Sequence, residues 1–200
     1  QIPFKAVLGN HDHLGNPEAQ LAYSKLSEQA LAHNSRWSMP ANYYHFSRAI
    51  DGTHSVDFFA LDTNPIANPL FDAREQLIWL EEQLKKSQAT WKIVYGHHPL
   101  YSGGDHGNNP EMIKQLEPLL AKYKVDLFLA GHDHDQQMLR PNQGVYHVVS
   151  GAGAKSRNVR WTNNTIYAAT NFGFTRFRLS GQEMVISFIT GQGKQAFAYT

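Results

Sequence analysis

Histidine stands out in the 200-residue sequence, with 11 copies, several of them next to glycine. Two of these copies lie in Gly131-His132-Asp133-His134, directly after the mostly apolar run of residues 125–130. A short apolar run that ends at a glycine predicts a buried strand followed by a tight loop. On extended backbone, residues two apart project to the same side, so we expect His132 and His134 to point into one cavity. Neutral imidazole is the commonest metal ligand among side chains, and the pair therefore indicates a metal site.

The same order of strand, glycine and polar group occurs twice more, which makes a chance pairing a poor explanation. Residues 4–8 lead into Gly9-Asn10-His11-Asp12, and residues 91–95 lead into Gly96-His97-His98-Pro99. In α/β sheets, ligands gather just beyond the carboxyl ends of the strands. We therefore expect Asn10, His97, His132 and His134 to surround one point, where they would bind metal.

Other polar residues near these loops have two readings each. His106 lies on a glycine-rich loop shortly after His97, and the sequence leaves two readings equally open, a catalytic histidine and a loop histidine that is only solvated. Asp62 follows another strand, and we expect it to have a structural or supporting role, because Asp62-Thr63-Asn64-Pro65 is also ordinary turn chemistry. The small residues 150–154 are expected to form a wall of the site, and a phosphate cradle is the alternative.

The elements that must position these residues follow from hydrophobic periodicity and from capping signals. Buried strands are predicted at residues 4–8, 55–61, 91–95, 125–130 and 145–149. Helices are predicted from Pro17 to about His33, after a capping box that begins at Asp72, and from Pro110 toward Tyr123 with a kink or restart at Pro118. The tail alternates around the turn at residues 180–182 and predicts an antiparallel meander. The expected fold class is α/β.

Composition excludes several classes of function. Lys and Arg number 18 against 17 Asp and Glu, and no basic run is interleaved with aromatic residues, so nucleic acid is not expected as a ligand. No apolar run approaches the length of about 18 residues that a membrane helix needs, so no membrane association is expected. The absence of cysteine excludes disulfides and thiolate metal sites.

Residues 1–200 are expected to form a single domain. The sequence begins with Gln1-Ile2-Pro3 and leads directly into a predicted buried strand, with no initiator methionine. A buried strand needs neighbours, so we expect the domain to be truncated at its N-terminus. A processed N-terminus is the alternative.

Taken in order, the three glycine loops resemble those of the calcineurin-like metallophosphoesterase superfamily. The closer resemblance is to its purple acid phosphatase branch, of the tartrate-resistant type. The residues that carry this closer resemblance are His13-Leu14-Gly15-Asn16, Ala22-Tyr23-Ser24, Arg36-Trp37, Leu61-Asp62-Thr63, Asp105-His106-Gly107 and Ser150-Gly151-Ala152-Gly153. The resemblance implies the C-terminal part of a four-layer α/β/β/α sandwich with mixed sheets. It also implies hydrolysis of phosphate monoesters at a dinuclear metal centre, with a metal-bridged hydroxide as nucleophile.

The resemblance implies a role for each matching residue. Asn10, His97 and His132 would bind one metal ion, and His134 would bind the other. His11 would contact the phosphate, with Asp12 orienting its ring, and His106 would assist the departing alkoxide. The metal pair would be iron with iron, zinc or manganese, the substrate a small phosphorylated molecule, and the protein exported to the periplasm or secreted.

The sequence also departs from the family pattern. The family places two Asp ligands and a Tyr ligand upstream of the Asn loop, and residues 1–9 contain none of them. We therefore expect a missing N-terminal segment or chain to supply these ligands. The alternatives are a phosphodiesterase of the same superfamily and a catalytically incomplete metal-binding fragment. The loop Asp105-His106-Gly107 favours the monoesterase, because it belongs to the acid phosphatase branch.

Overall fold

The computed structural model describes residues 2–30 and 36–200, together with the side chains of 2–26 and 36–200. The helices are α1 (Asn10–His13), α2 (Pro17–Ala30), α3 (Asn64–Ala67), α4 (Arg74–Lys86) and α5 (Pro110–Lys122). The strands are β1 (Phe4–Lys5), β2 (Trp37–Ser38), β3 (Tyr44–Ala49), β4 (Ser55–Ala60), β5 (Trp91–Tyr95), β6 (Leu127–Ala130), β7 (Gln136–Asn142), β8 (Val145–Ser150), β9 (Thr165–Ala169), β10 (Gly173–Leu179), β11 (Met184–Thr190) and β12 (Gln195–Tyr199).

A seven-stranded mixed sheet in the order β3-β4-β5-β6-β8-β7-β9 forms the centre of the described structure. Its four middle strands, β4, β5, β6 and β8, are parallel, and antiparallel strands flank them on both sides. Strands buried on both faces need apolar side chains at nearly every position, which explains why these four were recognisable as apolar runs. Their parallel direction brings four carboxyl ends to the same edge of the sheet.

One face of this sheet is covered by helices. Leu80 and Leu84 of α4 and Leu116 of α5 pack with Val94 and Phe128 of the sheet in one buried cluster. Helix α5 begins with Asn109 as its N-cap, since the Asn109 side chain accepts a hydrogen bond from the backbone N–H of Met112. The helix continues through Pro118, so the predicted restart is wrong.

The opposite face packs against a three-stranded antiparallel sheet in the order β10-β11-β12. Ile186 and Phe188 of β11 contact Ile93, Leu127 and Val148 of the large sheet. The helices, the large sheet and this smaller sheet are the α, β and β layers of the predicted sandwich. The mixed sheet and the antiparallel C-terminal meander are confirmed.

The N-terminal part differs from the sequence prediction. The predicted buried strand at residues 4–8 contains only the two residues of β1, which pairs in parallel with β2 outside the large sheet. Phe4 is 57% exposed, whereas Leu8 is buried with Met39 and Ala60. Helix α2 begins as predicted at Pro17, but its predicted end near His33 lies outside the described residues.

The start of helix α4 differs from the sequence prediction. Helix α4 begins at Arg74 with Ala73 at its N-cap, so the predicted capping box from Asp72 is wrong. Asp72 instead accepts hydrogen bonds from the backbone and side chain of Arg74.

Within residues 2–30 and 36–200, every helix is too short or too polar to span a lipid bilayer.

Candidate metal and catalytic site

The loops that follow β5 and β6 meet at the carboxyl edge of the large sheet. Gly96 donates its N–H to the carbonyl of Leu129 over 3.1 Å, and Gly131 donates its N–H to the carbonyl of His97 over 3.0 Å. These two backbone hydrogen bonds continue the parallel pairing of the strands into their loops. The histidines that follow the two glycines are therefore held next to each other by backbone contacts.

Asn10, His97 and His132 converge there at their polar atoms. His97 Nε2 lies 2.8 Å from Asn10 Oδ1 and 2.9 Å from His132 Nδ1. Asn10 is the first residue of α1, and the preceding Gly9 lies against the His97 ring. A Cβ at position 9 would come within 2.9 Å of His97 Nδ1, so only glycine lets the two segments approach this closely.

The backbone of the His-x-His loop is not extended, which corrects the geometry expected from the sequence. His132 has φ 65°, in the left-handed region, and the next strand, β7, begins only at Gln136. His132 and His134 therefore face the same space because the loop turns, and not because alternate residues of a strand share a side.

A cavity of about 80 Å³ opens at this point. The residues that line it are Asn10, His11, His97, His106, His132, His134 and Arg157. His134 brings a buried Nδ1 that has no hydrogen-bond partner among the described residues. A buried imidazole nitrogen without a partner is costly unless a ligand or solvent satisfies it. The cavity thus includes all six residues for which metal or catalytic roles were predicted, together with an arginine that was not.

Burial keeps the clustered imidazoles neutral. It lowers the pKa of His97 to about 4 and that of His132 to about 4, with repulsion from neighbouring histidines as a further cause for His132. Burial also lowers the pKa of His134, and the positive charge of Arg157 acts in the same direction. Neutral imidazole keeps a nitrogen lone pair free, which is the form that binds a metal ion.

The donor set of Asn10, His97 and His132 fits a metal ion. In a six-coordinate ion with metal–ligand bonds of about 2.1 Å, adjacent ligand atoms lie about 3 Å apart. The two measured separations of 2.8 and 2.9 Å agree with this spacing. One amide oxygen and two imidazole nitrogens suit iron, zinc or manganese better than a thiolate-seeking ion. For a second metal, the predicted set contains only His134.

His106 is held by a buried carboxylate. Its Nδ1–H donates to Asp133 Oδ1 over 2.7 Å, and its backbone N–H donates to the same oxygen over 3.1 Å. Asp133 is 1% exposed, and its other oxygen accepts a hydrogen bond from Ser102 Oγ. Because a carboxylate only accepts hydrogen bonds, the contact fixes a proton on Nδ1. Nε2 is then the ring nitrogen that can exchange a proton with a ligand. The ring also lies against His132, with 3.9 Å between centroids.

Comparison with known proteins shows which family the chain belongs to. A family model described as calcineurin-like phosphoesterase matches residues 1–136, which is more than half of the chain. The chain belongs to the calcineurin-like phosphoesterase family. Tartrate-resistant acid phosphatase type 5 of Homo sapiens is 36% identical over 98% of the chain, and purple acid phosphatase 7 of Arabidopsis thaliana is 36% identical over 78% of it. The predicted resemblance to the acid phosphatase branch is confirmed.

The matches cover only part of each relative. The chain spans 66% of the human protein and 50% of the plant protein. Among solved structures, GAP50, described as the anchor in the inner membrane complex of Plasmodium, matches 99% of the chain and 65% of its own length, with a TM-score of 0.87 and 27% identity. A purple acid phosphatase from Lupinus luteus seeds matches 99% of the chain and 38% of its own length, with a TM-score of 0.73 at 20% identity, which shows the shared fold.

Two carboxylates near the glycine loops, Asp12 and Asp62, accept hydrogen bonds that hold these loops in place. Asp12 does not contact the His11 ring in the described hydrogen bonds; it accepts from the backbone N–H of Gly9 over 2.8 Å and from Gln20 Nε2 over 3.2 Å. It therefore fixes the first turn of α1, on which His11 is exposed to the cavity. Asp62 pairs with His13 Nε2 at 3.0 Å, a supporting role of the predicted kind.

Three residues of this phosphoesterase site carried no role in the sequence prediction. His98 is buried, and its ligand atom lies within 4.8 Å of those of His97 and His132. Its Nδ1 lies 2.9 Å from Thr63 Oγ1, and burial lowers its pKa to about 3. Asp133 lies between the two histidines of its loop, and this position was a local signal in the sequence for a supporting role. Arg157 offered none, because it lies in an irregular segment far along the chain.

Proposed function

We propose that the chain carries part of the active centre of a metal-dependent acid phosphatase that hydrolyses phosphate monoesters. The observation that supports this most is the meeting of Asn10, His97 and His132 at distances suited to a metal ion, in the cavity that also receives His106. Binding of a small phosphorylated substrate and export from the cytoplasm belong to the same proposal. Both follow from the likeness to acid phosphatases.

The proposed roles of the residues follow from their chemistry and position. Asn10, His97 and His132 would hold one metal ion, and His134 would contribute to a second. When bound, a pair of metal ions would supply hydroxide as the nucleophile and would neutralise charge on the phosphoryl oxygens. Iron paired with iron, zinc or manganese suits these ligands.

The remaining roles concern binding and proton transfer. His11 is exposed on the first turn of α1, and as an imidazole it donates a hydrogen bond to a phosphoryl oxygen. His106 donates from Nε2 to the departing alkoxide while Asp133 stabilises its positive charge. Buried Ser102 and the backbone N–H of His106 hold the Asp133 carboxylate in place.

The experiment that tests this proposal measures metal content and hydrolysis of p-nitrophenyl phosphate in the protein expressed from its full coding sequence. We expect two metal ions per chain, and a fall of roughly 1000-fold in kcat/KM for His97→Ala, since losing a metal ligand removes several kcal/mol of charge stabilisation. His54→Ala is the matched control, because His54 lies in a surface turn where it contacts Asp51. A wild-type protein with no metal and no hydrolysis would refute the proposal.

Two alternatives remain in the same experiment. A phosphodiesterase would hydrolyse bis(p-nitrophenyl) phosphate faster than the monoester, which is the comparison that separates the two chemistries. An incomplete metal-binding protein would hold one ion or none and hydrolyse neither ester. The structure resembles that of GAP50, which is described as an anchor, and for this reason the experiment includes the second alternative.

A further inference from the structure

Arg157 is the permanently charged cation among the described residues that line the metal cavity. The other lining residues are one asparagine and five histidines, of which His97 and His132 are kept neutral by burial. Guanidinium presents five N–H donors in a planar fork that matches phosphate and carboxylate oxygens. An arginine in this position therefore needs an explanation that the metal ligands do not provide.

The backbone around Arg157 is fixed to both catalytic loops. Arg157 donates its N–H to the carbonyl of His134 over 2.7 Å, and Arg160 donates its N–H to the carbonyl of Gly103 over 2.9 Å. The segment thus lies across the end of the His-x-His loop and the start of the loop that carries His106. Neither hydrogen bond involves a side chain of the segment, so the position of the backbone does not depend on which residue stands at 157.

The side chain of Arg157 is only partly engaged. Its Nη1 lies 3.5 Å from Asp105 Oδ2, which is the polar side-chain contact recorded for it in the part of the chain that the structure describes. Both side chains remain accessible, with 34% of Arg157 and 53% of Asp105 exposed. A single, long and accessible contact of this kind contributes little to stability and leaves most of the guanidinium donors available to a ligand.

Arg157 lies on the side of the cavity that receives the leaving group. Asp105, its partner, directly precedes His106, the residue proposed to donate to the departing oxygen. A substrate whose phosphoryl group sits among the metal ligands would direct its departing part toward His106 and hence toward the guanidinium. A neutral leaving group gains little from that charge, whereas one that carries its own negative group gains a charge-assisted hydrogen bond.

We propose that Arg157 is a specificity-determining residue that binds a second anionic group on the leaving-group side of the substrate, and inorganic pyrophosphate is the simplest probe that carries such a group. This inference rests on the proposed phosphatase function. In the reaction with pyrophosphate, a hydroxide ion adds to the terminal phosphorus and the bond from that phosphorus to the bridging oxygen breaks. The departing phosphate keeps the bridging oxygen and its electron pair, and takes a proton from His106.

The test compares inorganic pyrophosphate with p-nitrophenyl phosphate in the metal-loaded protein. Arg157→Gln is expected to lower kcat/KM for pyrophosphate about 30-fold, mainly through KM, and for p-nitrophenyl phosphate less than about 3-fold, because only pyrophosphate presents a second anionic group. Arg157→Lys should fall between the two, since it keeps the charge but loses the fork. Arg160→Gln removes a neighbouring, exposed arginine and should change neither value. Equal losses on both substrates, or no loss on pyrophosphate, would overturn the inference.

Asp105→Asn separates binding by Arg157 from its ion pair. If Arg157 acts on the substrate, this variant keeps or gains pyrophosphate affinity, because the competing carboxylate is gone. A loss as large as that of Arg157→Gln would mean that the ion pair itself matters, and would overturn the inference. Calorimetric binding of pyrophosphate and of orthophosphate supplies a readout that needs no turnover. If the wild type hydrolyses neither substrate, the proposed function fails, and the change in the pyrophosphate-to-orthophosphate affinity ratio on Arg157→Gln still decides the role of Arg157.

Discussion

Replacing Asp133 with Asn removes the negative charge behind His106 while keeping the size of the side chain. Asp133 Oδ1 accepts from both His106 Nδ1 and His106 N, and the other oxygen accepts from Ser102 Oγ. An amide has one accepting oxygen and one donating nitrogen, so it cannot satisfy all three donors. The positively charged form of His106 then loses the partner that stabilises it.

The magnitude follows from the lost charge on the acceptor. A hydrogen bond to a charged group contributes about 1.5–3 kcal/mol, which corresponds to roughly a 10- to 150-fold fall in kcat when the charge on His106 is needed in the transition state. The amide oxygen of Asn at the Oδ1 position can still accept from both His106 nitrogens, so the loss comes from the missing negative charge. We therefore expect kcat for p-nitrophenyl phosphate to fall within this range, with metal content unchanged.

The assay needs a control for burial and a control for mechanism. Asp126→Asn makes the same substitution at a mostly buried carboxylate that accepts from the backbone of Lys92, just before β6 and away from the cavity, and should leave kcat unchanged. In a His106→Ala background, Asp133→Asn should cost little further activity, because its effect runs through the imidazole. A kcat for Asp133→Asn within about 3-fold of the wild type, or a full additional loss in the His106→Ala background, would refute the reasoning.

The remaining predictions concern stability. Burial lowers the pKa of His147 to about 4, below its value of about 6.5 in the unfolded chain, so the unfolded state binds more protons between these pH values and stability falls as pH falls through them. His147→Phe should remove about 2–3 kcal/mol of the loss in unfolding free energy between pH 7 and 4.5, measured by urea titration at both pH values; an unchanged loss would contradict this. Gly151→Ala should destabilise by about 1–3 kcal/mol in the same titration at pH 7, since its Cβ would come within 2.0 Å of the Asp133 carbonyl oxygen. Gly153→Ala meets open space and should be near neutral; equal effects at the two glycines would contradict the steric argument. Chelation should lower the melting temperature of the metal-loaded protein, because metal binds the folded state; an unchanged value would argue against a structurally coupled site.

The central strands could be predicted because their burial on both faces leaves a direct trace in the sequence. The apolar runs at 55–61, 91–95, 125–130 and 145–149 agree with β4, β5, β6 and β8 to within a residue or two. The hairpin around residues 180–182 was equally visible, since alternation and turn chemistry both marked it. In each case the local pattern and the tertiary environment require the same residues.

Strand β7 could not be predicted, because its environment is unusual. It begins with Gln136 and Gln137, both completely buried, and two glutamines in succession do not indicate a strand. The Gln137 amide donates to Ser102 Oγ over 2.8 Å and to Asp135 Oδ1 over 2.7 Å, so tertiary hydrogen bonds compensate for its burial. Only the folded structure shows these partners.

The first strand was overestimated for the opposite reason. Residues 4–8 are as apolar as a central strand, yet β1 contains two residues and pairs only with β2. The apolar residue that is buried there, Leu8, packs from an irregular segment against Met39. Periodicity records that a residue will be buried, but it does not record whether a strand or a loop brings it inside.

The grouping of Asn10, His97 and His132 could be anticipated, because parallel strand ends meet at one edge of a sheet. The way in which the backbone brings these three residues together could not be anticipated. Asn10 arrives from a loop outside the large sheet, and His132 points inward through a turn of the backbone. The contact of Asp133 with His106 and the position of Arg157 depend on loops that are far apart in sequence.

The backbone of His132 has a thermodynamic consequence for the history of such a protein. A non-glycine residue with φ 65° costs about 1 kcal/mol, which glycine would not cost. In a gene copy relieved of the need to bind metal, nothing would select for this cost, and glycine would be tolerated at this position. Among diverging gene copies, glycine at this position would mark those that keep the fold but no longer bind metal.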